Sequence, residues 1–566
     1  MNKKVSILIL LSGIFFSLSF FKCVKRGVFY SGDAGLKYLQ TKQIANGDLS
    51  LSLNLKGDNL TQNLWHKGYY PFSPPFAYKL QNRYYTPFSY IFSLLSALFY
   101  KFFSFYGLRI IPILSLWGTW LLFLLYGKNL KGYSIILLIF LFSLIFSTPL
   151  TFYGATFWEH TLGVFLIFWA FLLIFYREKL FYGGVLSSIA IILRPEISIF
   201  SFFLLLIIIL REKRFKKSKV TDFLKGFFPI IALYFILNLI EFGTIFGIHS
   251  MEVTRGFSLS SDAIFFKIKV YFLILKLMSH SLINYLPQIL LLPIIIFMGE
   301  KSEIREKTIL ILLTLILTPL ILPNAGGMEF GPRYFLFLIP IFYFVFMECV
   351  ILNSNKWLKT GVVLIFLFLT FLNFHKSTSE AREIFCEDKG ILKAINLLEK
   401  EKEKYIIIDN QWIAQNFALL MGEKFFLLAK DRNQFITLLY QLKREGINRL
   451  ILIQFVKGKV KDKLNIKDKM NFGKIATSIK KIFTSSYFRI YSLEIFWENK
   501  YYQRKGKIPS SKIIIHLQEK LPQRDIHLHK HHNQCKVQDL FYRCHLQKLP
   551  QQDILVNMFH KLYNHQ

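Results

Sequence analysis

Residues 5–47 read VSILILLSGIFFSLSFFKCVKRGVFYSGDAGLKYLQTKQIANG and change from apolar to polar along their length. The first part, from Val5 to Phe21, contains no charged residue, and a helix of about 20 apolar residues is long enough to cross the hydrocarbon core of a bilayer. The run ends in SFFKCVKR and not in the small residues of a signal-peptide cleavage site, so we expect an uncleaved membrane helix. Asp33 follows shortly afterwards, which predicts a carboxylate at the membrane surface.

Apolar stretches of this kind recur along the chain up to residue 374. Hydrophobic residues make up 53% of the chain and charged residues 19%, whereas soluble domains have about 45–50% and about 25%. Two stretches, 182–210 and 264–298, are too long for one simple crossing and contain polar interruptions at 194–196 and 279–281. The sequence therefore predicts an α-helical polytopic membrane protein with about 11–13 crossings. The candidate spans are 5–22, 86–104, 108–126, 133–152, 161–176, 182–210, 223–243, 264–298, 307–323, 335–352 and 357–374.

Much of the net charge of +35 lies in short loops between apolar segments, such as REKRFKKSK at 211–219. Lys and Arg in short loops mark the cytoplasmic side of a membrane protein. Under this rule residues 158–160, 194–196 and 323–333 lie on the opposite face, together with a long first loop at 23–85. We expect the basic surface to contact anionic membrane lipids and not nucleic acid.

The composition changes near residue 376. Residues 1–375 form the predicted transmembrane domain, whereas 376–500 alternate short β-branched or aromatic runs with helical stretches, which predicts a small α/β soluble domain. Residues 501–566 form a basic tail rich in His and Gln, which we expect to be disordered. The alternative for this tail is metal binding, with ligands drawn from its histidines. The candidate strands are KYIIID (404–409), KFFLLA (424–429) and RLILIQ (449–454), and the candidate histidines are His527, His529, His531 and His532.

Asp33 is the first candidate catalytic residue because it directly follows the first span. A carboxylate held within hydrogen-bond reach of an acceptor hydroxyl can act as its general base. The alternative is that Asp33 caps the helix that follows, since Asp is a favoured cap residue.

Glu159 and His160 form a second candidate pair in TFYGATFWEHTLG at 151–163, between two predicted spans. Ionisable residues at membrane depth mark functional sites. Glu159 could supply a second acid and His160 could position an acceptor. The alternative is an interfacial aromatic belt, built on Tyr153 and Trp158, whose polar neighbours are incidental.

Arg194 and Glu196 flank Pro195 inside a long apolar stretch. Pro195 removes a backbone donor and breaks the helix, which suits a half-helix that faces a cavity. The guanidinium of Arg194 matches the geometry of phosphate oxygens, and this predicts phosphate binding. The alternative is an internal Arg194–Glu196 pair that stabilises the break.

A glycine-rich turn, PNAGGMEFGPRYF at 323–335, holds Glu329 and Arg333 at the start of a span. Its glycines permit close backbone approach, and Arg333 could bind a lipid phosphate with Glu329 as a further polar contact. The alternative is a helix that starts at Pro332, with Arg333 reaching to the lipid headgroups.

The predicted order of elements resembles that of the GT-C superfamily of membrane glycosyltransferases. It consists of an apolar first helix, a loop that opens with Asp33, many further helices and a C-terminal soluble domain. The likeness is to the dolichyl-phosphate-mannose and aminoarabinose transferases, and it covers roughly residues 1–375. It implies a polyprenyl-phosphate-linked sugar donor, a catalytic role for Asp33, and a glycan, lipid or protein acceptor on the extracytoplasmic face of the bacterial inner (cytoplasmic) membrane. No acidic doublet follows Gly32, as one does in some members, so a divalent metal cofactor is left open and no metal ligand is assigned.

In the predicted reaction Asp33 takes a proton from the acceptor hydroxyl, or orients it, while Arg194 and Arg333 neutralise the departing phosphate. The resemblance implies inversion at the sugar carbon. One alternative is an O-antigen polymerase or ligase, whose large loop would be expected late in the chain. Another is a transporter or flippase of lipid-linked glycans, which would favour matching broken helices in two halves. Neither a P-loop nor a GxSxG motif occurs in a suitable context, which argues against an NTP-driven pump and a serine hydrolase.

Overall fold

A computed structural model of the protein describes residues 3–29, 32–130, 135–212, 218–248, 261–299, 302–322, 330–387, 389–456, 469–471, 475–485 and 487–497. Glu329 and the tail at 501–566 lie outside these ranges.

The described chain is mostly helical, as the apolar stretches predict. Between the first two long helices, the first loop contains two short helices, a π-helical turn at Trp65–Tyr69 and a small hairpin. The helices before the C-terminal domain are α1 Lys3–Cys23, α2 Gly32–Ala45, α3 Asn59–Leu64, α4 Tyr90–Gly107, α5 Ile110–Gly127, α6 Ile135–Phe146, α7 Leu150–Ala155, α8 His160–Arg177, α9 Leu180–Leu193, α10 Ile197–Glu212, α11 Ser218–Phe242, α12 Ser261–Tyr285, α13 Leu292–Met298, α14 Ser302–Leu317, α15 Leu338–Leu352 and α16 Lys356–Glu387. The hairpin strands are β1 Tyr78–Leu80 and β2 Arg83–Tyr85, and 3₁₀ turns occur at Pro287–Leu291, Thr318–Leu320 and Arg333–Phe335.

Several of these helices are suited to a bilayer by length and composition. Within the described ranges, five helices are long and apolar enough to cross a membrane, or six if one bent pair counts as a span. Four further apolar helices are shorter, and if all of them cross as well, these described helices give nine or ten crossings, fewer than the predicted 11–13. The long spans are Lys4–Cys23, Ile110–Gly127, His160–Arg177, Lys219–Phe242 and Lys356–Ala381, and the shorter apolar helices are Ile135–Phe146, Leu180–Leu193, Ile197–Arg211 and Leu338–Leu352.

The two long apolar stretches are both broken. Helix α9 ends at Leu193 and α10 begins at Ile197, so the break predicted at Arg194-Pro195-Glu196 is confirmed. The second break lies at Leu286 and not at 279–281, and the chain there bends by 103°. Pro287 explains the difference, because a proline ends a helix whereas Ser and His side chains can be carried within one.

Helix α15 forms the centre of the bundle, and its side chains from Leu338 to Ile351 are buried. It packs against α5, α6, α8 and α14. The outer helices instead expose apolar side chains: Phe15 is 71% and Ile240 is 75% exposed. An exposed apolar surface around a buried central helix is the arrangement expected of helices that lie in lipid.

A buried ion pair stabilises the bundle at the far end of α8. The Lys307 ammonium on α14 lies 2.8 Å from a carboxylate oxygen of Glu348 on α15 and 2.8 Å from the hydroxyl of Tyr176. Tyr176 and His160 stand at opposite ends of α8, about 24 Å apart at 1.5 Å per residue. This pair is therefore separate from the site described below.

The C-terminal domain contains a six-stranded mixed sheet, which confirms the predicted α/β character. The strand order is β4-β3-β5-β8-β7-β6, with β3 parallel to β4 and β5 and the remaining pairs antiparallel. Helix α16 runs continuously past residue 375, so the chain enters this domain as a helix. The elements are α17 Lys389–Lys400, β3 Tyr405–Ile408, α18 Gln411–Asn416, a 3₁₀ turn at Ala418–Leu420, β4 Phe425–Leu428, α19 Arg432–Arg444, β5 Arg449–Phe455, β6 Lys469–Asn471, β7 Ile475–Thr484 and β8 Phe488–Trp497.

Candidate active site

Helix α2 brings two charged side chains to the same place. Asp33 lies in its first turn, where the positive end of the helix dipole favours a carboxylate. Lys37 follows four residues later and therefore lies on the same face of the helix. Both side chains are buried: Asp33 is 8% and Lys37 is 1% exposed.

Asp33 is paired with Arg333, which lies 300 residues later in the chain. A guanidinium nitrogen of Arg333 donates to a carboxylate oxygen of Asp33 at 2.8 Å. Arg333 begins the 3₁₀ turn after Gly331, whose φ of +81° suits a residue without a side chain. The structure thus brings Asp33 and Arg333 together, although the sequence analysis identified them in two separate motifs.

Glu159 joins Lys37 to Arg194. The Lys37 ammonium donates to one carboxylate oxygen of Glu159, and a guanidinium nitrogen of Arg194 donates to the other at 3.0 Å. Arg194 also pairs with Glu196, where Nε donates to the carboxylate at 2.7 Å. The internal Arg194–Glu196 pair therefore exists, and Arg194 in addition reaches Glu159, which immediately precedes α8.

These pairs explain the protonation state of Glu159. Burial on its own raises the pKa of a carboxyl group. The two cations, Lys37 and Arg194, outweigh burial and lower the pKa of Glu159 to about 2. Glu159 is therefore an anion at neutral pH.

The two arginines share one aromatic neighbour. The guanidinium carbons of Arg194 and Arg333 lie 5.9 Å and 5.6 Å from the centre of the Tyr334 ring. Tyr334 thus links the Asp33–Arg333 pair to the network around Glu159. The described site holds the carboxylates of Asp33, Glu159 and Glu196 and the cations of Lys37, Arg194 and Arg333, so its formal charges balance.

His160 lies beside this network in an aromatic wall. Its ring is 3% exposed and lies 4.9 Å from Tyr153 and 5.5 Å from Trp158, measured between ring centres. Neither ring nitrogen hydrogen-bonds to any side chain or backbone group that the structure describes. The predicted aromatic cluster is present, and the role of His160 in positioning an acceptor stays a prediction.

Lys37 is the site residue that the sequence analysis missed. Its position four residues after Asp33, on a predicted helix, was an available signal. Lysine is common on exposed helix faces, however, and only the burial of Lys37 against Glu159 and Phe88 distinguishes it. Its ammonium lies 4.9 Å from the centre of the Phe88 ring.

The described residues do not fit a metal site. No group of three or more His, Cys, Asp or Glu side chains gathers within these ranges. The Asp33 carboxylate contacts Arg333, and Glu159 contacts two cations, so each carboxylate is already neutralised by a basic side chain. No step of the mechanism is therefore assigned to a metal.

The described chain is a polytopic helical membrane protein, with a first loop that carries a buried carboxylate and a C-terminal α/β domain. The fold is similar to that of ArnT from Cupriavidus metallidurans in its crystal structure with undecaprenyl phosphate, with 9% sequence identity and a TM-score of 0.52 over 87% of this chain and 98% of that chain. The apo crystal structure of the same protein matches 86% of this chain and 97% of that chain, with 9% identity and a TM-score of 0.48. The sequence matches no protein-family model and no curated protein. The similarity to ArnT confirms the predicted fold, a polytopic helical membrane protein with a C-terminal α/β domain.

Proposed function

We propose that this protein is a membrane glycosyltransferase that moves a sugar from a polyprenyl-phosphate donor to a cell-envelope acceptor. The acceptor is a glycan, lipid or protein on the extracytoplasmic face of the bacterial inner membrane. The observation that carries the proposal is the ion pair of the buried Asp33 with the half-buried Arg333, next to Arg194, in an ArnT-like fold. A carboxylate and two guanidinium groups are the chemistry that hydroxyl activation and phosphate release require.

The balanced charge of the site supports one order of events. A donor phosphate adds negative charge, and Arg333 neutralises it by exchanging its contact with Asp33 for a contact with the phosphate. This exchange frees the Asp33 carboxylate for the acceptor. Arg194, whose guanidinium carbon lies 5.9 Å from the centre of the Tyr334 ring, would contact the same phosphate.

The chemical step then needs one base. The acceptor oxygen attacks the anomeric carbon while its proton passes to Asp33. The bond from that carbon to the phosphate oxygen breaks, and its electron pair leaves with the phosphate, which Arg194 and Arg333 stabilise. Because attack and departure take place on opposite faces, the configuration of the sugar inverts.

The other charged residues hold these groups in place. Glu159 bonds to both Lys37 and Arg194, so it fixes the arginine relative to helix α2. Glu196 fixes the remaining side of the same guanidinium group. His160 has ring nitrogens available for an acceptor hydroxyl.

The direct test is transfer by the purified protein in vesicles that contain a polyprenyl-phosphate sugar labelled in the sugar. The proposal predicts labelled acceptor together with unlabelled polyprenyl phosphate. Movement of the intact donor across the bilayer, with no label in the acceptor, would identify a flippase. Use of lipid-linked oligosaccharide in place of the monosaccharide donor would identify a polymerase or ligase. Neither alternative is favoured by the ArnT-like fold.

A further inference from the structure

The C-terminal domain contacts the helix that carries Asp33 and Lys37. Helix α18 and the following 3₁₀ turn, together residues 411–420, pack against α2. At Gly35 the two backbones meet: a Cβ atom built on this glycine would lie 2.0 Å from the backbone oxygen of Gln415 and 3.3 Å from the Cβ of Ala418. No side chain fits at Gly35 unless α2 or α18 moves.

A second contact lies on the other side of Asp33. Gly27 has a φ of +83°, and a Cβ atom there would lie 2.6 Å from a methyl carbon of Leu419. Gly27 precedes Asp33 and Gly35 follows it. Residues 411–420 therefore touch the chain both before and after the catalytic carboxylate.

Hydrogen bonds hold the rest of the first loop on the same domain. The Trp65 indole donates to the backbone oxygen of Phe426 on edge strand β4 at 3.0 Å. The backbone nitrogen and the hydroxyl of Ser73 donate to the side-chain oxygen of Gln411 at 2.7 Å and 2.9 Å. The loop thus covers a sheet edge that would otherwise be open, and it is fixed at the residue where α18 begins.

Asp58, which caps the start of α3, also contacts the C-terminal domain. The Tyr405 hydroxyl donates to its carboxylate at 2.7 Å. Burial alone would raise the pKa of Asp58, but hydrogen bonds from Thr61 and Tyr405 lower it below its ordinary value. Asp58 is therefore charged at neutral pH and ties α3 to strand β3.

We propose that residues 411–420 are a positioning element of the active site and that they act on Asp33 and Lys37 through Gly35. The inference rests on the proposed function, because it assigns those two side chains to sugar transfer. Asp33 is two residues from Gly35, so a shift of α2 at Gly35 moves its carboxylate away from Arg333 and Lys37 away from Glu159. Displacements of roughly 1 Å in catalytic groups can reduce rates about 100-fold.

Gly35→Ala is the sharpest test, because one methyl group forces the contact apart. Its matched control is Gly361→Ala on α16, since beyond its own helix no described residue lies within 4 Å of a Cβ built there. We expect Gly35→Ala to lower kcat by about 10- to 100-fold with little change in the KM for the donor, because the phosphate-binding arginines are on other segments. We also expect faster hydrogen–deuterium exchange across residues 32–45, whereas Gly361→Ala should match the wild type in both measurements.

The wild-type kcat and exchange in folded Gly35→Ala protein would overturn the positioning role. An equal loss in Gly35→Ala and Gly361→Ala would do so as well, because the effect would not depend on the domain contact. If the wild type transfers no sugar, the proposed function fails, whereas the exchange data still decide whether residues 411–420 hold α2.

Gln411→Ala is the second variant, in case Gly35→Ala does not fold. Gln411 is only half-buried, and its loss removes the two hydrogen bonds from Ser73 without a steric conflict. We expect kcat to fall about 3- to 10-fold, the size of one or two ordinary hydrogen bonds, with faster exchange in residues 32–45. Thr437→Ala, an exposed residue of α19 in the same domain, is the control. Unchanged kcat and exchange in Gln411→Ala would contradict the proposal.

Discussion

Each charged side chain that the structure describes in the candidate site forms an ion pair with another residue of the site. The sequence predicted Asp33, Glu159, Arg194, Glu196 and Arg333 because each is an ionisable residue next to an apolar run. It could not predict which of them pair, because the partners lie far apart in the chain and periodicity indicates only which face of a helix is polar. Glu329, which the sequence also offered as a donor contact, lies outside the described ranges, and its role stays a prediction.

The Lys37–Glu159 pair gives a prediction about stability. Lys37→Met leaves the buried Glu159 carboxylate with Arg194 as its remaining partner among the described side chains. Breaking a buried pair costs about 3–5 kcal/mol, and we expect the lower end, about 3 kcal/mol of unfolding free energy, because Arg194 remains. Denaturation in micelles measures it, with Lys42→Met as control, since the half-buried Lys42 of the same helix forms no ion pair with the described residues.

A second substitution distinguishes the energy of the Lys37–Glu159 interaction from the separate contributions of the two side chains. Adding Glu159→Gln to Lys37→Met removes the carboxylate charge that has lost Lys37, so the double variant should be more stable than the sum of the two single losses predicts. Single losses that simply add would show that Lys37 and Glu159 are not coupled.

The sequence predicted the apolar helices and the first helix break correctly, but it placed the second break wrongly. Apolar length predicted the spans, and the charged Arg-Pro-Glu step predicted the end of α9 at Leu193. The polar residues at 279–281 predicted the second break at the wrong place, because Pro287, which lacks the backbone donor that a helix needs, ends the helix instead. Backbone chemistry, more than side-chain polarity, decides where an apolar helix bends.

Glycines control the close packing of α9 and α11. A Cβ on Gly226 would lie 2.1 Å from the backbone oxygen of Phe181, and one on Gly184 would lie 2.3 Å from that of Phe223. Small residues let helix backbones approach in a membrane, where packing and not the hydrophobic effect holds helices together. We expect Gly226→Ala to cost about 1–3 kcal/mol, visible as a lower thermal midpoint in detergent. Gly361→Ala is the control, and equal midpoints for the two variants would be inconsistent with this packing.

The whole molecule was predictable in outline from its sequence. The order of an apolar helix, an acidic loop, further helices and a soluble domain indicated a polytopic membrane protein with a C-terminal α/β domain. The similarity to ArnT confirms that fold. The contact between the first loop and the C-terminal domain was not predictable, because Trp65 and Phe426 are 361 residues apart and neither side of the contact has a distinctive pattern. A domain that the sequence presented only as a soluble appendage thus contacts the helix that bears Asp33.

The predicted orientation of the molecule can be measured with cysteine labelling. The positive-inside rule places the loop at 177–179 in the cytoplasm and the first loop outside, and the C-terminal domain contacts that first loop. In a variant with all five native cysteines replaced, Thr437→Cys should react with a membrane-impermeant maleimide in intact spheroplasts. Lys179→Cys should react only after permeabilisation, and the reverse pattern would place the site on the cytoplasmic face.

The central claim is that Asp33 is the base for sugar transfer, and Asp33→Asn tests it most directly. The amide keeps the size of the side chain and removes its ability to take a proton, so kcat should fall by about 10²- to 10⁴-fold while donor binding persists. Asp48→Asn is the matched control, because this carboxylate of the same loop bonds to Ser50 and Asn54, away from Arg333. Wild-type kcat in a folded Asp33→Asn protein would contradict the account.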